Sequence, residues 1–264
     1  MYATRYIKAG NIDEAIAALG DAEDGKILAG GMTLIPTLKQ RLAAPDCLID
    51  LSATGLSAIT DEGEEIVIGA MTTHAEVEHS ELIQQFLPVL ARLAGGIGDR
   101  QVRNRGTIGG SLANNDPAAC YPAAALALGA SIQTNKRLIA AEDYFTGMFE
   151  TALAEDEIIT EIRFAKTQRA SYEKFSNPAS RYAMVGVCVV QTSDGEVRVA
   201  ITGAGQDGVF RHAGLEAALT ANFNSQAVDM VEIEDTNLMS DIHASADYRA
   251  HLIKEMTRRA VRAI

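Results

Sequence analysis

Tryptophan is absent, and the only cysteines, Cys47, Cys120 and Cys188, lie far apart with no CxxC pair among them. That spacing argues against a disulfide, a zinc site or an iron–sulfur cluster built on this chain alone. Long apolar runs are missing too: no stretch reaches the roughly 18 residues that a bilayer span needs. No basic, apolar, small-residue leader opens the chain, so the expected location is cytoplasmic. Basic residues are the minority, 23 against 35 acidic, for a net charge of −12. Such a balance speaks against general nucleic-acid binding. It also means that an anionic ligand must be held by local devices rather than by the overall field.

What is present suffices for one large domain or two medium ones in 264 residues. "RYIKA" reads as a strand and "NIDEAIAALG" as a helix, with Asn11 as N-cap, Glu14 completing a capping box and Gly20 as the stop. "KILAGGMTLIPTLKQRL" has the order strand, glycine turn, helix. "CLIDL" and "EIVIGA" read as strands, "TTHAEVEHS" and "ELIQQFLPVLARLA" as helices, and "PAAALALGA" as an Ala-rich helix. From about Glu157 the texture changes to strands at hairpin-like intervals, closed by a long helical pattern, "SADYRAHLIKEMTRRAVRAI". The expected organisation is α/β alternation over residues 1–170 and a smaller α+β unit over 171–264. Cys188 sits in an apolar β run and reads as core. His74 and His79 in "HAEVEH" are not spaced i, i+4, so one helix face does not offer both to a metal.

Two glycine segments stand out. In "ILAGGMTLIP", Gly30 and Gly31 let the chain pass close to a phosphate with no Cβ in the way, and Thr33 is placed to cap the next helix or add a hydroxyl. The GxGxxG and GKS/T spacings are absent, which excludes a Rossmann fingerprint and a P-loop. "GTIGGSLAN" is a second such segment, preceded by Arg100, Arg103 and Arg105 in "DRQVRNR". Two amide nests and a basic cluster suit a diphosphate. The run Ser111, Asn114, Asn115 and Asp116 suits a ribose or ribityl chain, while Asp116 and Pro117 also read as N-cap and N1 of the Ala-rich helix. The arginines equally suit a solvated loop or a subunit contact. The combination favours FAD over a mononucleotide.

At these residues the sequence resembles the flavin-binding medium subunit of molybdenum hydroxylases, the aerobic carbon monoxide dehydrogenase medium-subunit family, with the xanthine dehydrogenase FAD domain a more distant relative. "LAGGMTLIP" and "RNRGTIGGSLANNDPAACYP" carry the likeness, and "DIHASADYRAHLIKEMTRRAV" extends it to the C-terminus. The resemblance implies an α+β fold: a two-subdomain FAD-binding domain of the vanillyl-alcohol oxidase/PCMH type, then a small C-terminal domain of antiparallel sheet and helices. It implies an oxidoreductase subunit that takes electrons from a partner's iron–sulfur clusters onto FAD and passes them to an external acceptor. The implied partners are a large molybdopterin subunit and a small iron–sulfur subunit, assembled as a dimer of heterotrimers. A self-contained FAD-dependent oxidoreductase on the same fold is the alternative, and a chain that has lost FAD is a third reading.

Carried over residue by residue, the resemblance puts the diphosphate on the backbone N–H groups of Ala29, Gly30, Gly31, Met32, Thr33 and Leu34. A second cradle comprises Thr107, Ile108, Gly109, Gly110 and Ser111, with Asn115 and Asp116 near the sugar and ribityl hydroxyls and Ile108 against the flavin ring. Thr72, Thr73 and His74 match a segment near the cofactor. Lys174 is expected at the pyrimidine edge of the ring and Tyr182 stacked on it. The family often has Asp where Cys120 stands, which removes one carboxylate from the site. No catalytic side chain and no metal ligand are expected, the flavin being the redox centre.

Overall fold

A computed structural model of the chain describes residues 1–167 and 169–264. Arg5–Lys8, Gly25–Leu28 and Cys47–Asp50 form a parallel sheet with the last of these in the middle. Its central strand is an apolar run buried at Cys47, Leu48 and Ile49, as a parallel strand covered on both faces requires. Helix Ile12–Gly20 packs Ala15 and Ala18 against it. Asn11 caps that helix by accepting from the Glu14 amide at 2.9 Å, but the Glu14 carboxylate reaches back to the Gly10 amide, one residue earlier than a capping box has it. Gly20 is the last helical residue rather than a left-handed stop; Asp21 is the C-cap.

The second sheet is antiparallel, in the order Ile59–Asp61, Glu65–Gly69, Ile159–Ala165, Ser131–Thr134, Leu138–Ala140. The expected α/β alternation therefore holds only in the first sheet. The third sheet is a four-stranded antiparallel meander, Ala170–Ser176, Ala183–Gln191, Val197–Gly205 and Gly208–Arg211. Together these give the mixed α+β architecture expected from the sequence. Among the described residues, no helix is long and apolar enough to cross a membrane.

The two long central strands of the meander are apolar at nearly every position because both faces are covered. Alternation sorts their side chains. Val185, Val187, Val189, Val199 and Ile201 join one core with Leu252, Ile253 and Met256 of helix Ala246–Arg262. Cys188, Val190 and Ala200 join the core of the preceding residues instead. The element they meet there is helix Cys120–Leu128, buried at every one of its nine residues. A helix with no polar face has to be enclosed from all sides.

Arg249 locks this end of the molecule. It is 3% exposed, and its Nη1 donates to the carbonyls of Met184 at 2.6 Å and Gly203 at 2.5 Å, while Nη2 donates to Asp241 at 2.8 Å. Replacing it takes a donor from the two carbonyls and the cation from Asp241, whose Oδ1 still accepts from the His243 and Ala244 amides. Arg249→Met is expected to lower unfolding stability by about 2–4 kcal/mol, read from urea midpoints at unchanged slope.

Candidate functional site

A cleft of about 700 Å³ lies among the loop at 29–34, the segment at 106–120 and the turn at 180–182. That volume is in the range that encloses a whole cofactor. Ala29, Gly30, Gly31, Met32, Thr33 and Leu34 all line it. Their loop follows strand Gly25–Leu28 and opens helix Leu34–Lys39. Among the described residues, the N–H groups of 29–34 have no acceptor within the protein. Thr33 does not cap the helix: its backbone is already helical and its side chain makes no capping bond. Gly31 has φ 72, a left-handed conformation that favours glycine.

Gly30 has a different reason. A Cβ on it would lie 1.9 Å from the Arg105 carbonyl oxygen and 2.9 Å from Gly106 Cα. The first glycine loop therefore lies directly on the backbone that leads into the second. Gly106 has a neighbour of its own, since a Cβ on it would be 2.5 Å from His74 Nε2, while one on Gly110 would be 2.8 Å from Thr107 Oγ1 and in ordinary contact with Ala29 Cβ at 3.4 Å.

The second glycine segment is not an amide nest. It is the start of helix Ile108–Asn114, capped by the Thr107 hydroxyl. Its amides are taken: Ile108 N–H donates to Thr72 O at 3.0 Å, Gly109 to Ala70 O at 2.9 Å, Gly110 to Thr107 Oγ1 at 3.1 Å and Ser111 to Thr107 O at 3.0 Å. Gly109 is glycine because a Cβ would lie 2.6 Å from Ala70 Cβ. The segment thus shapes the wall, and Thr107, Gly109, Gly110 and Ser111 do line the cleft. Ile108 does not. It is fully buried in the core, away from the lining where a ring contact is expected from the sequence.

Thr72 is buried outside the cleft lining, and Thr73 caps helix His74–His79 in a capping box with Glu76, so neither faces the cleft. His74 does line it, 5% exposed, its ring 5.4 Å from that of Tyr121. Burial, with Arg103 nearby, pushes its pKa down to about 4, so the imidazole is neutral at neutral pH.

Asn115 is likewise turned away from the cleft. It is 1% exposed and absent from the cleft lining; its side-chain amide donates to Gly147 O at 2.9 Å and Glu150 O at 2.8 Å. Asp116 lines the cleft, its carboxyl pKa raised by burial. It is not a helix N-cap. Its Oδ1 accepts from the Ala118 amide at 2.9 Å, and the Ala-rich helix begins later, with Ala119 as N-cap. The delay has a cause: the Pro117 carbonyl is held by the Gly203 amide at 2.7 Å and the Thr202 hydroxyl at 2.9 Å.

The expected arginine cluster does not reach the cleft. Arg103 pairs with Glu78 at 2.9 Å and donates to Ile97 O and Gly98 O; Arg100 and Arg105 are exposed and away from the lining. The cations at the cleft are Lys26, Lys174 and Arg181. Lys174 Nζ donates to Gly96 O at 2.8 Å and Arg181 O at 3.1 Å and lies 3.6 Å from Cys120 Sγ, so its position is fixed. Arg181 donates to Gly98 O at 3.1 Å with its own φ at 62. Tyr182 is 47% exposed beside it, also on the lining. Sequence reasoning missed Lys26, Arg181 and Glu157. Glu157 is a buried carboxylate bound by Arg137, Thr134 and the Ala154 amide. None of them carries a local pattern; the turn "NPASRY" was the only available signal.

Residues 2–166 match the family described as FAD binding domain in molybdopterin dehydrogenase, and residues 170–264 match the CO dehydrogenase flavoprotein C-terminal domain. The chain is 35% identical to the nicotine 6-hydroxylase medium subunit of Paenarthrobacter nicotinovorans, covering 98% of this chain and 96% of that one. It is also 35% identical to the carbon monoxide dehydrogenase medium chain of Hydrogenophaga pseudoflava, covering 96% and 94%. The fold matches a chain of the reconstituted CO dehydrogenase from Oligotropha carboxidovorans with a TM-score of 0.91 at 32% identity, over 98% of this chain and 96% of that one.

Two measurements test the wall of the cleft. Gly30→Ala forces a methyl into backbone and is expected to cost about 1–3 kcal/mol in urea unfolding. Gly20→Ala, a helical site with nothing within 4 Å, should instead stabilise by roughly 0.5–1 kcal/mol. The second concerns pH. Arg137 first, then the Ala154 amide and the Thr134 hydroxyl, holds the Glu157 carboxyl at about 2, below its ordinary 4.5. A depressed carboxylate stabilises above its unfolded pKa and loses that contribution as pH falls through the folded one. The gap in thermal midpoint between the parent chain and Glu157→Gln should hold above about pH 5 and shrink between about pH 4.5 and 2.

Proposed function

Because the chain belongs to the family of FAD binding domains in molybdopterin dehydrogenases, continued by the CO dehydrogenase flavoprotein C-terminal domain, we propose that this cleft holds FAD and relays electrons through it. The donor is the iron–sulfur clusters of a partner subunit, and the acceptor is external. One observation carries the placement: the consecutive amides of 29–34 line the cleft and have no acceptor in the protein among the described residues. Such a row of donors matches the oxygens of a diphosphate. The group fits the donor set. An overall charge of −12 does not supply the attraction, so main-chain dipoles must.

When bound, FAD supplies a centre that accepts electrons singly from a one-electron donor and hands them on. The protein's residues bind and orient it. Ser111 and Asp116 form the polar floor for the sugar and ribityl hydroxyls. Lys174, held by two carbonyls, is a fixed cation for the pyrimidine edge of the ring. Tyr182, at the exposed rim, covers one face and limits access. His74 stays neutral and shapes the wall, adding no charge. A general base or nucleophile is not required.

The chain acts as the medium subunit of a dehydrogenase with a large molybdopterin subunit and a small iron–sulfur subunit, built as a dimer of heterotrimers in the cytoplasm. Substrate choice lies outside this chain. Its identity is the same, 35%, to the medium subunits of a nicotine hydroxylase and a carbon monoxide dehydrogenase.

Mixing the purified chain with FAD should give the visible bands of a bound flavin with quenched fluorescence. Met32→Ala and Thr33→Ala should leave the dissociation constant within about threefold, since backbone rather than side chain makes the contact, whereas Gly30→Ala should weaken it by 100-fold or more through displacement of the loop. Equal affinity for the Gly30→Ala chain, or no flavin bands with the parent chain, overturns the placement.

A further inference from the structure

The hairpin of strands Phe145–Gly147 and Glu150–Thr151 presents Met148 and Phe149 at its tip, 39% and 56% exposed. Phe149 has φ 58. A left-handed backbone is disfavoured for any residue with a Cβ, and a bulky aromatic there is uncommon. Glycine at this position would remove the strain, yet the chain keeps a large apolar residue and points it at water.

Nothing about the tip is loose. Asn115, itself left-handed at φ 40 and 1% exposed, grips it: its carbonyl accepts from the Phe149 amide at 3.2 Å, and its side-chain amide donates to Gly147 O and Glu150 O. From behind, Tyr144 stacks edge-on against Phe145. A rare conformation held by a buried clamp, with an unburied aromatic as its product, points to use in recognition rather than in stability.

The location says what is recognised. Asn114 and Asp116, on either side of the clamp, line the cleft, as do Thr151, Leu153 and Ala154 just past the hairpin. At about 3.3 Å per residue, Phe149 stands roughly 7 Å along the chain from that lining. The rim around it is acidic: Glu142, Asp143 and Glu150 are exposed, and among the described residues only Glu142 has a cation near, Arg211 at 3.9 Å.

We propose that Met148 and Phe149 are a preformed knob that seats in an apolar pocket, ringed by lysine or arginine, on the protein that delivers electrons to this cleft. The inference rests on the relay reading above. Docking there would hold the donor's centre at the cleft edge at a fixed height, with the hairpin's rigidity limiting the ordering cost of association.

The test uses the full chain and the small iron–sulfur subunit purified from the native complex. Phe149→Gly removes strain and ring together; Phe149→Asn keeps a residue that tolerates the left-handed region. For both, the thermal midpoint of the chain alone should rise or hold, by up to roughly 5 °C for the glycine variant. Affinity for the small subunit should fall about 10–100-fold, with flavin content unchanged. Unchanged affinity overturns the proposal. So does a lowered midpoint in both variants, which would make Phe149 a structural residue. Loss of self-association instead, seen by concentration-dependent sedimentation, would assign the knob to a second copy of this chain and overturn it too. Flavin missing from the parent chain and the variants alike would count against the relay reading, separately from the docking result.

Discussion

The main chains of two loops touch with no side chain between them, and the rest of the site follows from that contact. Gly30 rests on the carbonyl of Arg105, and Gly106 rests on the ring of His74. Each glycine is required because the neighbour is backbone or a packed imidazole that cannot retreat. The parallel sheet ends in the first of these loops and the antiparallel sheet abuts the second, so the contact sets the distance between the sheets. The cleft is the space left beside that joint.

Two glycine pairs of similar appearance thus do opposite things with their amides. In the first, the N–H groups have no acceptors among the described residues, and the loop lines the cleft. In the second, every amide from Ile108 to Ser111 is consumed in tying a helix start to Ala70, Thr72 and Thr107. One pair leaves its donors open to the cleft; the other braces. Charge is handled locally too: the guanidinium of Arg103 is absorbed by Glu78, and of the cations at the cleft Lys174 and Arg181 donate to carbonyls while Lys26 pairs with Asp24.

The elements with strong local patterns are legible in the sequence: the central strands, the long C-terminal helix and the Ala-rich helix, whose complete burial the structure adds. The first glycine loop was readable too, since strand, glycines and helix follow one another locally. What sequence order hides is who accepts from whom. Ile108 sits in a motif but turns into the core, and Asn115 sits in a polar run but clamps a hairpin some thirty residues on. Asp116 has the residue type and the following proline of a helix cap, yet Thr202 and Gly203 hold the Pro117 carbonyl and delay the helix. Short edge strands such as Leu138–Ala140 and Gly208–Arg211 owe their pairing to backbone neighbours rather than to any pattern of their own.

Helix Cys120–Leu128 has a bearing on how the chain is divided. It belongs by sequence to the first of the two family regions, yet Cys188, Val190 and Ala200 from the second complete the core around it. The seam in the gene product is therefore not a seam in the oil-like interior. Cutting near residue 168 would leave one fragment with a greasy rod open to water and the other with a bare sheet face, so neither piece is a self-sufficient module.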